Sequence, residues 1–307
     1  MATTVLRECP TCGLWFRTTD ELQDHRDRDH APRRDPDPGP RGTMTLAVDP
    51  ERGAGRALRV AAVLAAQAGM SLEVVAVPPL GLGRSVTEAY LTARTHDTRR
   101  EGAPDAHPVV LPQGDVATEL VAHLDEVGAS LLCMDTRSRG PVSAVVLGST
   151  SEAVVRRSPI PVALVGPRAA QPAGRYRSLV VAVDGSAPAD AAVDAAVELA
   201  QTLDVPLHLV HVLDPGLALP DPDILESTYL SRVAARIARP VDHDVLHDRH
   251  PAAAIAAFAE DRPAPLIVMG THGRSDLRRL AVGSVALGVV RAAAAPVVVV
   301  RGPVPPR

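Results

Sequence analysis

Pro265-Leu266-Ile267-Val268-Met269-Gly270-Thr271-His272-Gly273-Arg274 decides the fold of this chain, together with Gly283-Ser284 downstream and the run Ala295-Pro296-Val297-Val298-Val299-Val300 beyond it. An apolar run that ends at a glycine describes a strand buried on both faces. The segment from about Leu280 to Arg291 has helical character, with Gly283 and Ser284 near its start, and the valine run is a second buried strand. Strand, glycine-containing loop and helix N-terminus in that order make a place for an anion. Glycine lets backbone N–H groups approach without a Cβ in between, and the helix terminus adds positive potential. A plain strand-to-helix turn or close helix packing would ask for the same glycines, so the joint pattern counts for more than any single member.

Working upstream, the pattern recurs at a constant offset of 135 positions: Asp49 falls on Asp184, Leu72 on Leu207, Asp135 on Gly270, Gly148-Ser149 on Gly283-Ser284 and Pro161 on Pro296. One offset throughout means two copies of one supersecondary plan. Each copy reads β-α-β-α-β-α-β-α-β. In the second, strands are expected near Ser178–Val183, Leu207–Val212, Asp242–Leu246, Leu266–Met269 and Pro296–Val300, with a helix from Pro188 to Leu203. Alternating strands and helices indicate an α/β fold with a doubly wound parallel sheet, whose ligands bind beyond the carboxyl ends of the strands. Asp184 and Gly270 both lie at such ends, so one crevice takes both.

Gly270-x2-Gly273-x9-Gly283-Ser284 after a buried strand, with a valine strand to follow, resembles the ATP-binding signature of the universal stress protein family. The resemblance covers roughly Ser178 to Arg301, and the repeat extends it upstream. It implies an open, Rossmann-like parallel sheet with helices on both faces, of the kind shared with adenine nucleotide alpha hydrolases. It also implies an aspartate after the first strand, which Val180-Val181-Ala182-Val183-Asp184-Gly185-Ser186 supplies. In that family's terms Asp184, with Gly185 and Ser186, would meet the nucleoside, and the backbone around Val210 to Val212 would border the adenine. Gly270, Gly273, Arg274, Gly283, Ser284 and Val285 would hold the phosphates, with magnesium or manganese offsetting charge, and His272 would either touch a phosphate or stand as a solvated loop histidine. A further implication is pairing of such domains through the last strand, which tandem copies satisfy within one chain, with a homodimer as a further option.

The first copy departs from the signature: Asp135 and Ser138 replace its first two glycines, and Glu51 stands where the second copy has Ser186. A carboxylate about 4 Å from a phosphate oxygen costs on the order of 4 kcal/mol at an effective dielectric near 20. The first copy is therefore expected to be scaffold and the second the ATP site.

At the N-terminus, Cys9-Pro10-Thr11-Cys12 is followed at zinc-ligand spacing by His25 and His30, with Phe16 and Leu22 as apolar cover. This segment resembles the two-cysteine, two-histidine ββα zinc finger. About thirty residues cannot bury a sufficient core, whereas a structural zinc supplies roughly 10–16 kcal/mol in such peptides. In that resemblance the base-reading positions fall on Thr18, Glu21 and Asp24, and an acidic helix meets phosphate repulsion. A protein-docking or structural finger is expected, and DNA contact is not. The organisation read from the chain is a finger over 1–30, a Pro/Asp tether over 31–42, a first stress domain with a degenerate site over 43–167, a linker over 168–176 and an ATP-binding domain over 177–303.

Composition narrows the chemistry. The chain contains no lysine, which excludes a Walker P-loop and a pyridoxal Schiff base. A net charge of −4 and 2% aromatic residues argue against a general nucleic-acid binder. Cys133 reads as a core residue on a buried strand. No apolar leader opens the chain, and the apolar stretch from Leu280 to Val300 is broken by Arg291 and Pro296, so a cytoplasmic protein without a membrane span is expected. No catalytic constellation assembles from the repeat positions. The expected role is a non-enzymatic, ATP-binding stress regulator or sensor with an unidentified protein partner at the finger. A slow ATP hydrolase or autokinase and a transcription regulator contacting DNA through the finger are the alternatives.

Overall fold

The computed structural model describes residues 7–8, 15–16, 18, 21–22, 42–53, 55–136, 147–216, 222–271 and 282–302. It divides into two units, 1–39 and 40–307.

In the small unit, β1 (Arg7–Glu8) pairs antiparallel with β2 (Trp15–Phe16). Thr18 and Glu21 then form a reciprocal capping box: Glu21 N–H donates to Thr18 Oγ1 at 3.1 Å, and Thr18 N–H to Glu21 Oε2 at 3.2 Å. This is the local signature of a helix start. The expected metal ligands Cys9, Cys12, His25 and His30 lie outside the described residues.

The large unit is built from two runs. The first is β3 (Thr43–Ala47), α1 (Ala57–Ala68), β4 (Ser71–Ala76), α2 (Arg84–Arg100), β5 (His107–Val110), α3 (Val116–Glu126), β6 (Leu131–Asp135), α4 (Ser149–Arg157) and β7 (Val162–Val165). The second is β8 (Ser178–Ala182), α5 (Ala187–Leu203), β9 (Leu207–Leu213), α6 (Pro222–Ala235), β10 (Val241–His247), α7 (Pro251–Glu260), β11 (Pro265–Gly270), α8 (Ser284–Ala292) and β12 (Val297–Val300). All ten strands form one sheet, ordered β10-β9-β8-β11-β12-β7-β6-β3-β4-β5. Within each half every pairing is parallel and the order is the same. The halves join by their last strands, antiparallel, with Val298 opposite Ala163.

These strands are valine-rich because both faces are covered. Apolar residues of α1, α2, α5 and α6 pack on one face, and those of α3, α4, α7 and α8 on the other. Each fully buried valine contributes roughly 1.5–3 kcal/mol, and Val297 to Val299 are at most 1% exposed. Cys133 is wholly buried, and burial pushes its thiol well above the usual range, as suits a core residue. The repeat is legible even at a helix end: α1 closes on Gly69 and α5 on Asp204, 135 positions on, both left-handed with φ of 65° and 54°.

The segment between the halves is docked. Tyr176, 4% exposed, is held through its backbone, its N–H donating to Gln67 Oε1 at 2.8 Å. Gln67 Nε2 returns a bond to the Tyr176 carbonyl and another to Leu203, each 2.9 Å, tying α1 to the second half. Gly166 approaches so closely that an added Cβ would meet the Val290 carbonyl oxygen at 2.0 Å. Among the described residues no helix is long and apolar enough to cross a membrane.

Candidate functional site

In the second half the crossover direction reverses between the adjacent strands β8 and β11, since β9 and β10 lie on one side of β8 and β11 and β12 on the other. Such a switch point leaves a crevice beyond the strand ends. Asp184 follows β8 and Gly270 closes β11, so the structure brings them to one edge of that crevice as the spacing implied.

Asp184 sits in a tight turn made possible by Gly185 at φ 79°. Its Oδ1 accepts from the Ser186 N–H at 3.1 Å and from the Ser186 hydroxyl at 2.6 Å, and Ser186 Oγ in turn caps α5 by accepting from the Ala189 N–H at 3.3 Å. This relay fixes the carboxylate at the crevice rim. Val212 lies on the neighbouring strand β9, and His211, 4% exposed, donates through Nδ1 to the Val183 carbonyl at 2.6 Å, bracing the strand ends.

Across the crevice, Gly283 N–H donates to the Thr271 carbonyl at 2.5 Å, and Thr271 N–H to that of Val300 at 2.9 Å. These bonds bring Gly270 and the Gly283-Ser284 pair together although twelve residues separate Gly270 from Gly283 in sequence. His272, Gly273 and Arg274 lie outside the described residues. Helix α8 begins at Ser284, not near Leu280 as the periodicity suggested. Gly283, with φ −62° and ψ 158°, is extended and stands as its N-cap. Among the described residues no side chain caps this helix, and no acid occupies its first turn. The leading N–H groups of Ser284 and Val285 are then the kind of donor that seeks an anion.

One glycine of the motif has a different reason for being there. A Cβ at Gly270 would stand 2.7 Å from the backbone carbon and oxygen of Pro188 in the first turn of α5, and a Cβ at Gly302 would stand 2.9 Å from Pro188 Cα. Gly270 is needed for helix packing, whatever else it borders.

The first half solves the same contact in the opposite sense. Its Asp135, at the position of Gly270, does not face outward as a charge repelling phosphate. Helix α1 starts five positions later in the repeat frame than α5, and the Asp135 carboxylate fills the space left, accepting from the Arg56 N–H at 3.1 Å and from the Ala57 N–H at 3.2 Å. Gly55, at φ 53°, makes room: a Cβ there would lie 2.3 Å from Asp135 Oδ2. Burial raises the carboxyl to about 6, against the opposing pull of the two N–H donors and Arg56. The corresponding helix α4 carries Glu152 in its first turn, a departure that the motif comparison passed over because it lies outside the motif.

Among the described residues no group of three or more His, Cys, Asp or Glu side chains is placed to hold a metal ion.

Comparison with known proteins agrees with the architecture. The model of the universal stress protein family matches residues 41–166 and 175–301. A universal stress protein of Mycobacterium tuberculosis is 28% identical over 256 residues, covering 72% of this chain and 77% of its own. One of Methanocaldococcus jannaschii is 32% identical over 142 residues, covering 42% of this chain and 84% of its own. The crystal structure of a universal stress protein from Archaeoglobus fulgidus superposes with a TM-score of 0.61 at 21% identity, covering 84% of this chain and 98% of that one. The chain belongs to the universal stress protein family.

Proposed function

We propose that this protein is a nucleotide-dependent stress regulator that binds one ATP, in its second half. The observation that carries the reading is the uncapped, acid-free N-terminus of α8, held at the switch point opposite Asp184 by the Gly283–Thr271 bond. Phosphates would sit on the N–H groups of Ser284 and Val285, with the loop that contains His272, Gly273 and Arg274 around them, and the nucleoside would lie towards Asp184 and Val212. A magnesium or manganese ion accompanying the phosphates would balance their charge. The site is read as regulatory, because its described carboxylate, Asp184, is already committed to Ser186 and is a poor general base. In the first half Asp135 is bound to the start of α1, and α4, the counterpart of α8, carries Glu152 in its first turn, whose carboxylate opposes a phosphate there.

The finger reading is part of the same proposal. Cys9, Cys12, His25 and His30 form a donor set that suits tetrahedral zinc, and the β1–β2 pair and the Thr18–Glu21 capping box are the elements such a finger needs. Its role would be to dock a protein partner. Native mass spectrometry of the freshly purified chain tests both parts: one adenine nucleotide and one zinc ion per chain are expected. A chain that takes up neither from added ATP and zinc contradicts the proposal.

A further inference from the structure

A cleft of about 580 Å³ lies between α1 and α2 of the first half, away from the nucleotide crevice of the second. Gly55 and Arg59 at the start of α1, Arg94 and Arg100 on α2, and Gln171 from the segment between the halves line it. Two acids share the lining, Asp97 and Glu101. They pair with Arg94 at 3.0 Å and Arg59 at 3.4 Å, but all four side chains are 36–42% exposed, so these pairs are weak and exchangeable. Arg100 has no ion pair among the described residues. Arg94 Nε is buried with no hydrogen-bond partner among them, and so is Tyr90 Oη one turn earlier on the same helix. The Arg94 guanidinium lies over the Tyr90 ring, 5.7 Å from its centroid, which holds it at the cleft wall.

The second half does not repeat these arginines at the corresponding positions. In the repeat frame Arg59, Arg94 and Arg100 fall on Asp194, Tyr229 and Ala235. Asp135 lies behind Gly55, but its carboxylate is turned to the N–H groups of Arg56 and Ala57. We infer that this cleft binds a small phosphorylated anion carrying more than one phosphoryl group. Planar guanidinium forks match oxyanions bidentately. Among the described residues Leu58 is the sole apolar side chain in the lining, which favours a polar anion over a base or a lipid tail. The volume falls within the range of ordinary ligand sites and exceeds what one phosphate fills.

The test is calorimetric titration of inorganic tripolyphosphate into the full chain carrying Ser284→Asp, which closes the nucleotide site to phosphate, with the cleft as in wild type or bearing Arg94→Gln/Arg100→Gln, and with thermal melts of both. The site predicts saturable binding that weakens at least tenfold when the cleft bears the double substitution, while the melting temperature stays within a few degrees of that with the wild-type cleft. If the double variant melts early, the exposed single variant Arg100→Gln replaces it, with a loss of at least threefold expected and with Arg100→Lys restoring part of the affinity. Protein with the wild-type cleft that takes up no tripolyphosphate overturns the inference. So does undiminished affinity in a folded arginine variant.

Discussion

At the scale of single residues, the informative pair is Gly270 and Asp135, which occupy one repeat position and do opposite things. Gly270 gives way to Pro188, and Asp135 takes the place of a helix turn that the first half lacks. Gly270→Ala should therefore destabilise the protein by about 1–3 kcal/mol, the usual cost of overpacking, measurable by urea unfolding. An unchanged midpoint would show that α5 yields at no cost. Asp135 makes a pH prediction. Its folded carboxyl is raised to about 6 from the ordinary 3.8, so between those values the folded chain keeps a proton that the unfolded chain has released. The contribution is fully present below about pH 4 and is lost as pH rises through about 6, on the order of 3 kcal/mol in all. Asp135→Asn keeps an acceptor for both N–H groups and removes the charge, so its stability should be flatter across that window and higher at pH 7. A variant with the wild-type slope would place the titration elsewhere. The sequence exposed both residues as departures within a repeat, but it assigned glycine to phosphate access and aspartate to repulsion. Which neighbour fills the space is a packing fact, and periodicity carries no record of it.

Among the elements, α8 has the most to say about function, since no described side chain caps its N-terminus and its first turn is free of acid. Ser284→Asp places a carboxylate on the first helical residue. A negative charge there favours the helix by roughly 0.3–1 kcal/mol and opposes a bound phosphate, so the melting temperature should hold or rise while ATP affinity falls at least tenfold. Loss of both together would point to unfolding, and unchanged affinity would move the phosphates off this helix. The alternation of strands and helices and the end of α5 at Leu203 were legible from the valine runs and the alanine periodicity, because a sheet covered on both faces leaves a strong apolar signal. The start of α8 was not, since Leu280 to Val282 continue the apolar pattern while Gly283 is extended. The arginine cleft was invisible for a different reason: Arg59, Arg94 and Arg100 come together only through the packing of α1 against α2.

On the scale of the whole molecule, one ten-stranded sheet joins the half proposed to bind ATP to a half whose corresponding helix, α4, carries an acid in its first turn, and a small N-terminal unit precedes them. The two units should respond separately to metal removal. Chelation is expected to unfold residues 1–30, seen as loss of amide protection there, and to leave ATP affinity and the main melting transition unchanged. A fall in ATP affinity on chelation would show that the units are coupled. Zinc binding should also weaken on acidification, because the cysteines must be thiolates and the histidines neutral. The central claim is that nucleotide occupies the second half and not the first, and hydrogen exchange measured with and without magnesium ATP compares both halves in one chain. The account predicts slowed exchange at 184–186 and 270–286, with 49–51 and 135–151 unchanged. Protection in the first-half segments, or in neither, would contradict it.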